Sequence, residues 1–107
     1  MNISAEDKSC IVEWARKHPE IRAVYLFGSR AKETNRPDSD IDLAVRIVPR
    51  PHEVTQLVWS DWHRRYEAKP DLNTSHPPHL WWYEEGVGLE RIEKAVKQHG
   101  VLLYSIE

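Results

Sequence analysis

The sequence predicts an α/β fold of the α+β kind, in which helices pack on one small mixed β-sheet. Short runs of β-branched and aromatic residues alternate along the chain with segments whose apolar residues recur at helical spacing, which favours this class. The chain has 107 residues, of which 40% are hydrophobic and 30% are charged. That length suits one compact domain, so we expect residues 1–107 to form a single domain.

The first helix and the first strand have clear limits in the sequence. Ser4 is a typical N-cap, and Asp7 follows three residues later, near the positive end of the predicted helix. The helix is predicted to end at His18, because the residue before a proline disfavours helical backbone. The run Ile21–Phe27 is short, β-branched and aromatic, and it predicts a mostly buried strand.

Residues 28–48 are predicted to form a turn and a second strand. Gly28 and Ser29 follow the first strand directly, and residues 34–39 have the composition of a turn. From residue 40 to residue 48, acidic and apolar residues alternate at first and the segment then becomes apolar, which predicts a strand.

The second half of the chain is predicted to alternate helices and strands in the same way. The predicted elements are a helix at 52–68, a short strand at 70–74, a short helix at 79–85, a last helix from Leu89 that stops at Gly100, and a last strand at 101–104.

Composition excludes several classes of protein. The formal net charge is -2 with both signs interspersed, so we expect no dedicated nucleic-acid-binding surface. No apolar run approaches the roughly 20 residues that span a bilayer, so we expect no membrane association. The N-terminus lacks the pattern of a secretory signal, and the lone Cys10 cannot form an internal disulfide. We therefore expect a cytoplasmic protein.

Asp40 and Asp42 are the first candidate site residues. On a strand, residues i and i+2 point to the same face, so the two carboxylates would lie together while Ile41 and Leu43 face the core. Two like charges on one face are costly unless a divalent cation neutralises them. Magnesium prefers oxygen ligands and shares them with water and substrate phosphates, so it suits such a pair.

Gly28 and Ser29 are the second candidate. Glycine lets the backbone approach a phosphate closely, and free N–H groups at a helix start favour anions. The Ser29 hydroxyl adds a hydrogen bond, and Arg30 and Lys32 add positive charge in the same segment. Either motif alone is weak, but their order between two predicted strands points to one cleft that holds a metal and a nucleotide.

These residues resemble the signature of a known superfamily. Gly28-Ser29, followed after ten residues by Asp40-Ile41-Asp42-Leu43, resembles that of the polymerase-β-like nucleotidyltransferases. The longer stretches 26–31 and 38–45, and the ending 100–104, are similar to its minimal single-domain members, the MNT proteins.

The resemblance implies the polymerase-β-like nucleotidyltransferase fold and the transfer of a nucleoside monophosphate, AMP from ATP, to an acceptor hydroxyl. Asp40 and Asp42 would hold Mg²⁺, with two ions in the active complex. Family members carry a third carboxylate on a later strand, and Asp71 matches it best by position, as metal ligand and as the group that helps to deprotonate the hydroxyl. Many relatives have glycine where this chain has Glu33. The residues assigned to the triphosphate are Gly28, Ser29 and Arg30.

The resemblance also implies a partner. Minimal family members are often paired with a HEPN-domain toxin that they neutralise by adenylylating a tyrosine, so we expect a type VII-like antitoxin in a homodimer or a hetero-oligomer. Two alternatives stay open. One is a nucleotide-binding module that neutralises its partner by contact without catalysis, and the other is a small-molecule nucleotidyltransferase of the aminoglycoside-modifying type.

Two further pairs of residues have spacing or composition that could mark a site. His76 and His79 have a metal-like spacing, but the absence of a nearby third ligand argues against zinc. Trp81 and Trp82 are adjacent in a chain with five tryptophans, and they are candidates for the core, for stacking on a base and for a partner surface.

Overall fold

The computed structural model describes residues 2–47, 72–86 and 89–106. The predicted helix at 52–68 lies outside these ranges, and so do the first two residues of the predicted strand at 70–74, Pro70 and Asp71. No helix in the described ranges is long and apolar enough to cross a membrane. The described elements are α1 (Ala5–Lys17), β1 (Ile21–Phe27), α2 (Ser29–Lys32), β2 (Ile41–Ile47), β3 (Pro78–Trp82), α3 (Glu90–His99) and β4 (Val101–Ser105).

The four strands form one mixed sheet in the order β3-β2-β1-β4. β1 lies between β2 and β4 and is antiparallel to both, whereas β3 runs parallel to β2. The predicted fold class, a small mixed sheet that carries helices, is therefore confirmed.

The two faces of the sheet bury different helices, because neighbouring strand residues point to opposite sides. One face packs against α1 through Ile11 and Trp14 and forms the larger core with residues such as Leu43. The other face packs against α3 through Ile92 and Val96. The functional side chains described below lie on the face that α3 covers in part.

Several sequence predictions are confirmed at the level of single residues. The Ser4 hydroxyl accepts the backbone N–H of Asp7 at 3.0 Å and caps α1, and β1 has the predicted limits. Ile41 and Leu43 are fully buried, as their alternation with the acids predicts. β2, however, begins at Ile41, so Asp40 lies just before the strand.

Two predictions about the segment after residue 70 are wrong. Residues 72–74 form no strand, and residues 79–85 form no helix. Instead β3 spans Pro78–Trp82 and pairs with β2, with Leu80 opposite Leu43. Leu80 and Trp82 point into the α1 core while Trp81 points to the other face, and this alternation is that of a strand.

The segment that leads to β3 is tied to the start of α1. The Asp7 carboxylate is buried and accepts hydrogen bonds from the backbone N–H of Ser75, at 2.9 Å, and from the Ser75 hydroxyl. The Cys10 thiol donates to the carbonyl oxygen of Asn73 at 2.9 Å. These contacts fix the path of residues 72–76 and therefore the start of β3, so Cys10 has a structural role.

We predict that Asp7→Ala lowers the free energy of unfolding by about 1–3 kcal/mol, because the Ser75 N–H and hydroxyl lose a charged acceptor. Burial alone would raise the pKa of Asp7, but the Ser75 hydrogen bonds outweigh it and hold the pKa below its ordinary value. The benefit is therefore present at neutral pH and is lost as the pH falls through that lowered pKa.

Urea unfolding at neutral and acidic pH measures this loss. Glu6→Ala is the matched control, because Glu6 carries the same charge in the same helical turn but is exposed. An Asp7→Ala penalty no larger than that of Glu6→Ala would contradict the proposed role of Asp7.

Candidate active site

Gly28 and Asp42 meet where β1 ends beside β2. Phe27, the last residue of β1, pairs with Asp42, so the next residue lies against the carboxylate. Gly28 has a φ of 77°, in the left-handed region that favours glycine. A Cβ at this position would lie 2.6 Å from Oδ2 of Asp42. Both the backbone conformation and the lack of space therefore require glycine here.

The Asp42 carboxylate is half-buried and has two polar neighbours on β3. Trp81 Nε1–H donates to Oδ1 at 3.3 Å, and Nδ1 of His79 lies 3.9 Å from the same oxygen. Burial raises the pKa of Asp42, and the charge of Asp40 adds to this rise. Trp81 and His79 act in the opposite direction but do not cancel it. The surroundings therefore disfavour the ionised form of Asp42, and a cation bound beside the carboxylate would stabilise that form.

Asp40 sits at the entrance to β2 and is exposed. Its negative charge adds to the rise in the pKa of Asp42, to which burial contributes most. Of the two predicted acids, Asp42 is therefore the inner one and Asp40 the outer one.

Three side chains form a stack beside Asp42. The rings of His79 and Trp81 lie 4.3 Å apart between centroids, and the guanidinium carbon of Arg91 lies 5.3 Å from the centre of the Trp81 ring. Such a cation–π contact is worth about 0.5–1 kcal/mol at an exposed site. It holds Trp81 with its N–H towards Asp42, while Trp82 is buried in the α1 core.

A cleft of about 250 Å³ opens in front of Gly28 and Asp42. Its walls combine apolar surface from Phe27 and α3 with the cationic side chains of Lys32 and Arg91. Sequence reasoning missed the contribution of α3. The available signal was spacing, because Arg91, Ala95 and His99 recur at intervals of four and all line the cleft. Positive charge beside a glycine turn and a carboxylate suits a phosphate-bearing ligand.

The Arg30 side chain donates hydrogen bonds to backbone carbonyl groups and does not line the cleft. Its side chain is only 6% exposed. Its guanidinium donates to the carbonyl oxygen of Ser39, at 2.6 Å from Nη2, and to that of Asn2, at 3.1 Å from Nη1. These bonds anchor the loop that leads to Asp40, and they do not bring Arg30 together with the other predicted nucleotide-binding residues. Its contact with a nucleotide stays a prediction.

Ser29 and Glu33 lie at the two ends of α2. Ser29 is half-buried and is not among the residues that line the cleft, so its contact with a triphosphate stays a prediction. Glu33 ends the helix with a φ of 61°, a left-handed conformation that favours glycine. A glycine at this place would adopt the same turn without the strain.

Asp40 and Asp42 fit a divalent cation such as Mg²⁺, because a cation would offset both the repulsion and the burial that raise the pKa of Asp42. No cluster of three His, Cys, Asp or Glu side chains within residues 2–47, 72–86 and 89–106 is placed to hold a metal. On β3, the residue opposite Asp42 is His79 and not an acid. Asp71, the predicted third carboxylate, lies outside the described residues.

Comparison with known proteins identifies a family and several solved structures of similar fold. Residues 9–107 match the profile of a family described as polymerase beta, nucleotidyltransferase. No curated protein matches the chain.

The chain is similar to a toxin–antitoxin complex solved with AMP-PNP, at 18% identity and a TM-score of 0.55, covering 94% of this chain and 74% of that one. A mutant of the toxin–antitoxin pair MntA–HpeT gives 20% identity and a TM-score of 0.57, covering 99% and 76%. The pair MntA–HepT gives 15% and 0.51, covering 95% and 73%. At these identities the similarity shows the fold.

We predict that Trp81→Phe raises the pKa of Asp42 further, because the ring stays while the N–H that stabilises the carboxylate is lost. The measurement is a pH titration of the Asp42 carboxyl carbon by NMR without metal. Trp82→Phe is the matched control, since Trp82 is on the same strand but faces the α1 core. An Asp42 titration that Trp81→Phe leaves unchanged would contradict this assignment.

Proposed function

This chain belongs to the polymerase beta nucleotidyltransferase family, and we propose that it is a cytoplasmic enzyme that transfers AMP from ATP to a hydroxyl group. The observation that carries the proposal is the contact between Gly28 and Asp42. A turn suited to phosphate lies directly against a carboxylate suited to a cation, and transfer of a phosphoryl group needs both in one site.

The acids would hold the metal. Asp40 and Asp42 would bind Mg²⁺, with two ions in the active complex and Asp71 as the proposed third ligand. When bound, the metal would neutralise charge on the phosphate oxygens. Asp71 would also take the proton of the attacking hydroxyl, which makes the oxygen a better nucleophile.

The other residues of the cleft would hold the nucleotide. The Ser29 hydroxyl and the Gly28 region would hold the triphosphate, because a turn without a side chain at Gly28 leaves room for a phosphate. Lys32 and Arg91 would add positive charge where the leaving pyrophosphate becomes more negative. Arg30 would bind the triphosphate, and it would also hold the loop before Asp40 in place.

We propose a HEPN-domain toxin as the partner and one of its tyrosine hydroxyls as the acceptor, so that the chain acts as a type VII-like antitoxin. Two findings support this choice. Structures with a similar fold include toxin–antitoxin complexes, one of them solved with AMP-PNP. The chain also matches two of these structures over 94% and 95% of its length.

A contact-only module is the second candidate, and one observation favours it. The described strand next to β2 presents His79 and Trp81 beside Asp42, and no acid. If Asp71 does not reach the site, binding of nucleotide would persist while transfer is lost. Neutralisation of the partner would then come from contact alone.

We predict that incubation with ATP, Mg²⁺ and a HEPN-domain protein encoded in the neighbouring gene adds the mass of AMP to that protein. Asp40→Asn combined with Asp42→Asn should slow the transfer by about 100-fold or more, because the substituted site loses both negative charges that bind the cation. Intact-protein mass spectrometry over time gives the rate.

Asp38→Asn is the matched control, since Asp38 is an exposed acid in the same loop. Transfer at full rate by the double variant would contradict the assignment of Asp40 and Asp42. Neutralisation of the partner with no added mass, in both the wild type and the double variant, would favour the contact-only module.

A further inference from the structure

The backbone amide of the Gly28 turn is hydrogen-bonded to a side chain near the other end of the sequence. The backbone N–H of Gly28 donates to Nε2 of His99 at 3.0 Å, across 71 positions of sequence. Gly28 lies between β1 and α2, at the junction of the two elements. An amide in such a half-buried place needs an acceptor, and a missing one is costly. His99 supplies it.

The pairing of β4 with β1 explains why these two residues meet. The strands are antiparallel with Leu26 opposite Val101. Continuing that register by two residues beyond the Leu26–Val101 pair places Gly28 opposite His99. The hydrogen bond therefore extends the β1–β4 pairing to the turn that touches Asp42.

The position of His99 is itself fixed. It is the last residue of α3, and Gly100 follows with its N–H donating to the carbonyl oxygen of Val96 at 2.8 Å. A Cβ on Gly100 would lie 2.5 Å from that oxygen, although its φ of -65° is open to any residue. Close packing, and not a left-handed backbone, is the reason for glycine at the predicted end of this helix.

The ring of His99 must be neutral to accept a hydrogen bond at Nε2, with its proton on Nδ1. Burial lowers the pKa of His99, and the positive charge of Lys32 on α2 lowers it further. Asp42 on β2 and Arg91 on α3 itself are the other charged groups that line the same cleft. The neutral ring is therefore the form present at neutral pH.

We propose that His99 is a positioning residue that holds the Gly28–Ser29 turn against Asp42. Its effect on AMP transfer rests on the proposed function, whereas the contact itself does not. Without the acceptor, the Gly28 amide is unsatisfied and the turn can shift relative to the carboxylate. A shift of this kind misplaces the triphosphate and not the acceptor hydroxyl.

Two variants separate the hydrogen bond from the bulk of the side chain. The amide oxygen of His99→Gln reaches about as far as Nε2, whereas that of His99→Asn is one bond shorter. Both are polar and uncharged. We expect His99→Asn to raise the KM for ATP about tenfold, with the KM for the acceptor unchanged. His99→Gln should restore most of the loss.

The pH profile gives a second readout. In the wild type, ATP affinity should fall as the pH drops through the lowered pKa of His99, because a protonated Nε2 cannot accept. His99→Gln should show a smaller fall, because Asp42 titrates in both proteins but His99 only in the wild type. Equal KM values for ATP in His99→Asn, His99→Gln and wild type would overturn the proposal.

The contact is also measured without any enzymatic activity. The chain has four glycines, so labelling with [¹⁵N]glycine and [¹⁵N]histidine gives a simple amide spectrum. We expect a scalar coupling through the hydrogen bond between the Gly28 nitrogen and Nε2 of His99 at neutral pH, and its loss in acid. No coupling at neutral pH would overturn the proposal. Coupling with no AMP transfer would instead reject the proposed function and leave the contact standing.

Discussion

The contact between the Gly28 backbone and the Asp42 carboxylate is the constraint on which the other parts of the site depend. It follows from the pairing of Phe27 with Asp42 at the end of the β1–β2 ladder. β3 brings Trp81 to one side of the carboxylate, and α3 brings His99 to the amide of the turn. The contacts of Trp81 and His99 can organise one site only while the Gly28 turn lies against the Asp42 carboxylate. The absence of a side chain at Gly28 is therefore what allows the turn and the carboxylate to lie in one cleft, as the proposed site for phosphate and metal requires.

Local signals predicted much of the fold. The Ser4 cap, the run Ile21–Phe27 and the stop at Gly100 each depend on residues close in sequence, and the structure confirms all three. The error at 79–85 has a different origin. A five-residue strand that contains a proline and two tryptophans has little periodicity of its own. Only its pairing with β2 makes it a strand, and such a tertiary contact overrides local preference.

The residues of the site also differ in whether local sequence could predict their contacts. Gly28 and Asp42 were predictable because they lie at the adjoining ends of consecutive paired strands, 14 positions apart. Trp81 and His99 were not, because their approach depends on the register of β3 and β4 against strands far away in sequence. Arg30 has a role that its place in the motif did not indicate, because its guanidinium donates to the loop before Asp40. Its contact with a nucleotide stays a prediction.

Calorimetric titration of ATP, with and without Mg²⁺, tests the central claim most directly, which is that Gly28 and Asp42 form one site for nucleotide and metal. The wild type should bind ATP more tightly with Mg²⁺ than without it. Asp42→Asn should lose that difference, and Asp38→Asn, which changes an exposed acid nearby, should keep it. An ATP affinity that depends neither on Mg²⁺ nor on Asp42 would contradict the account.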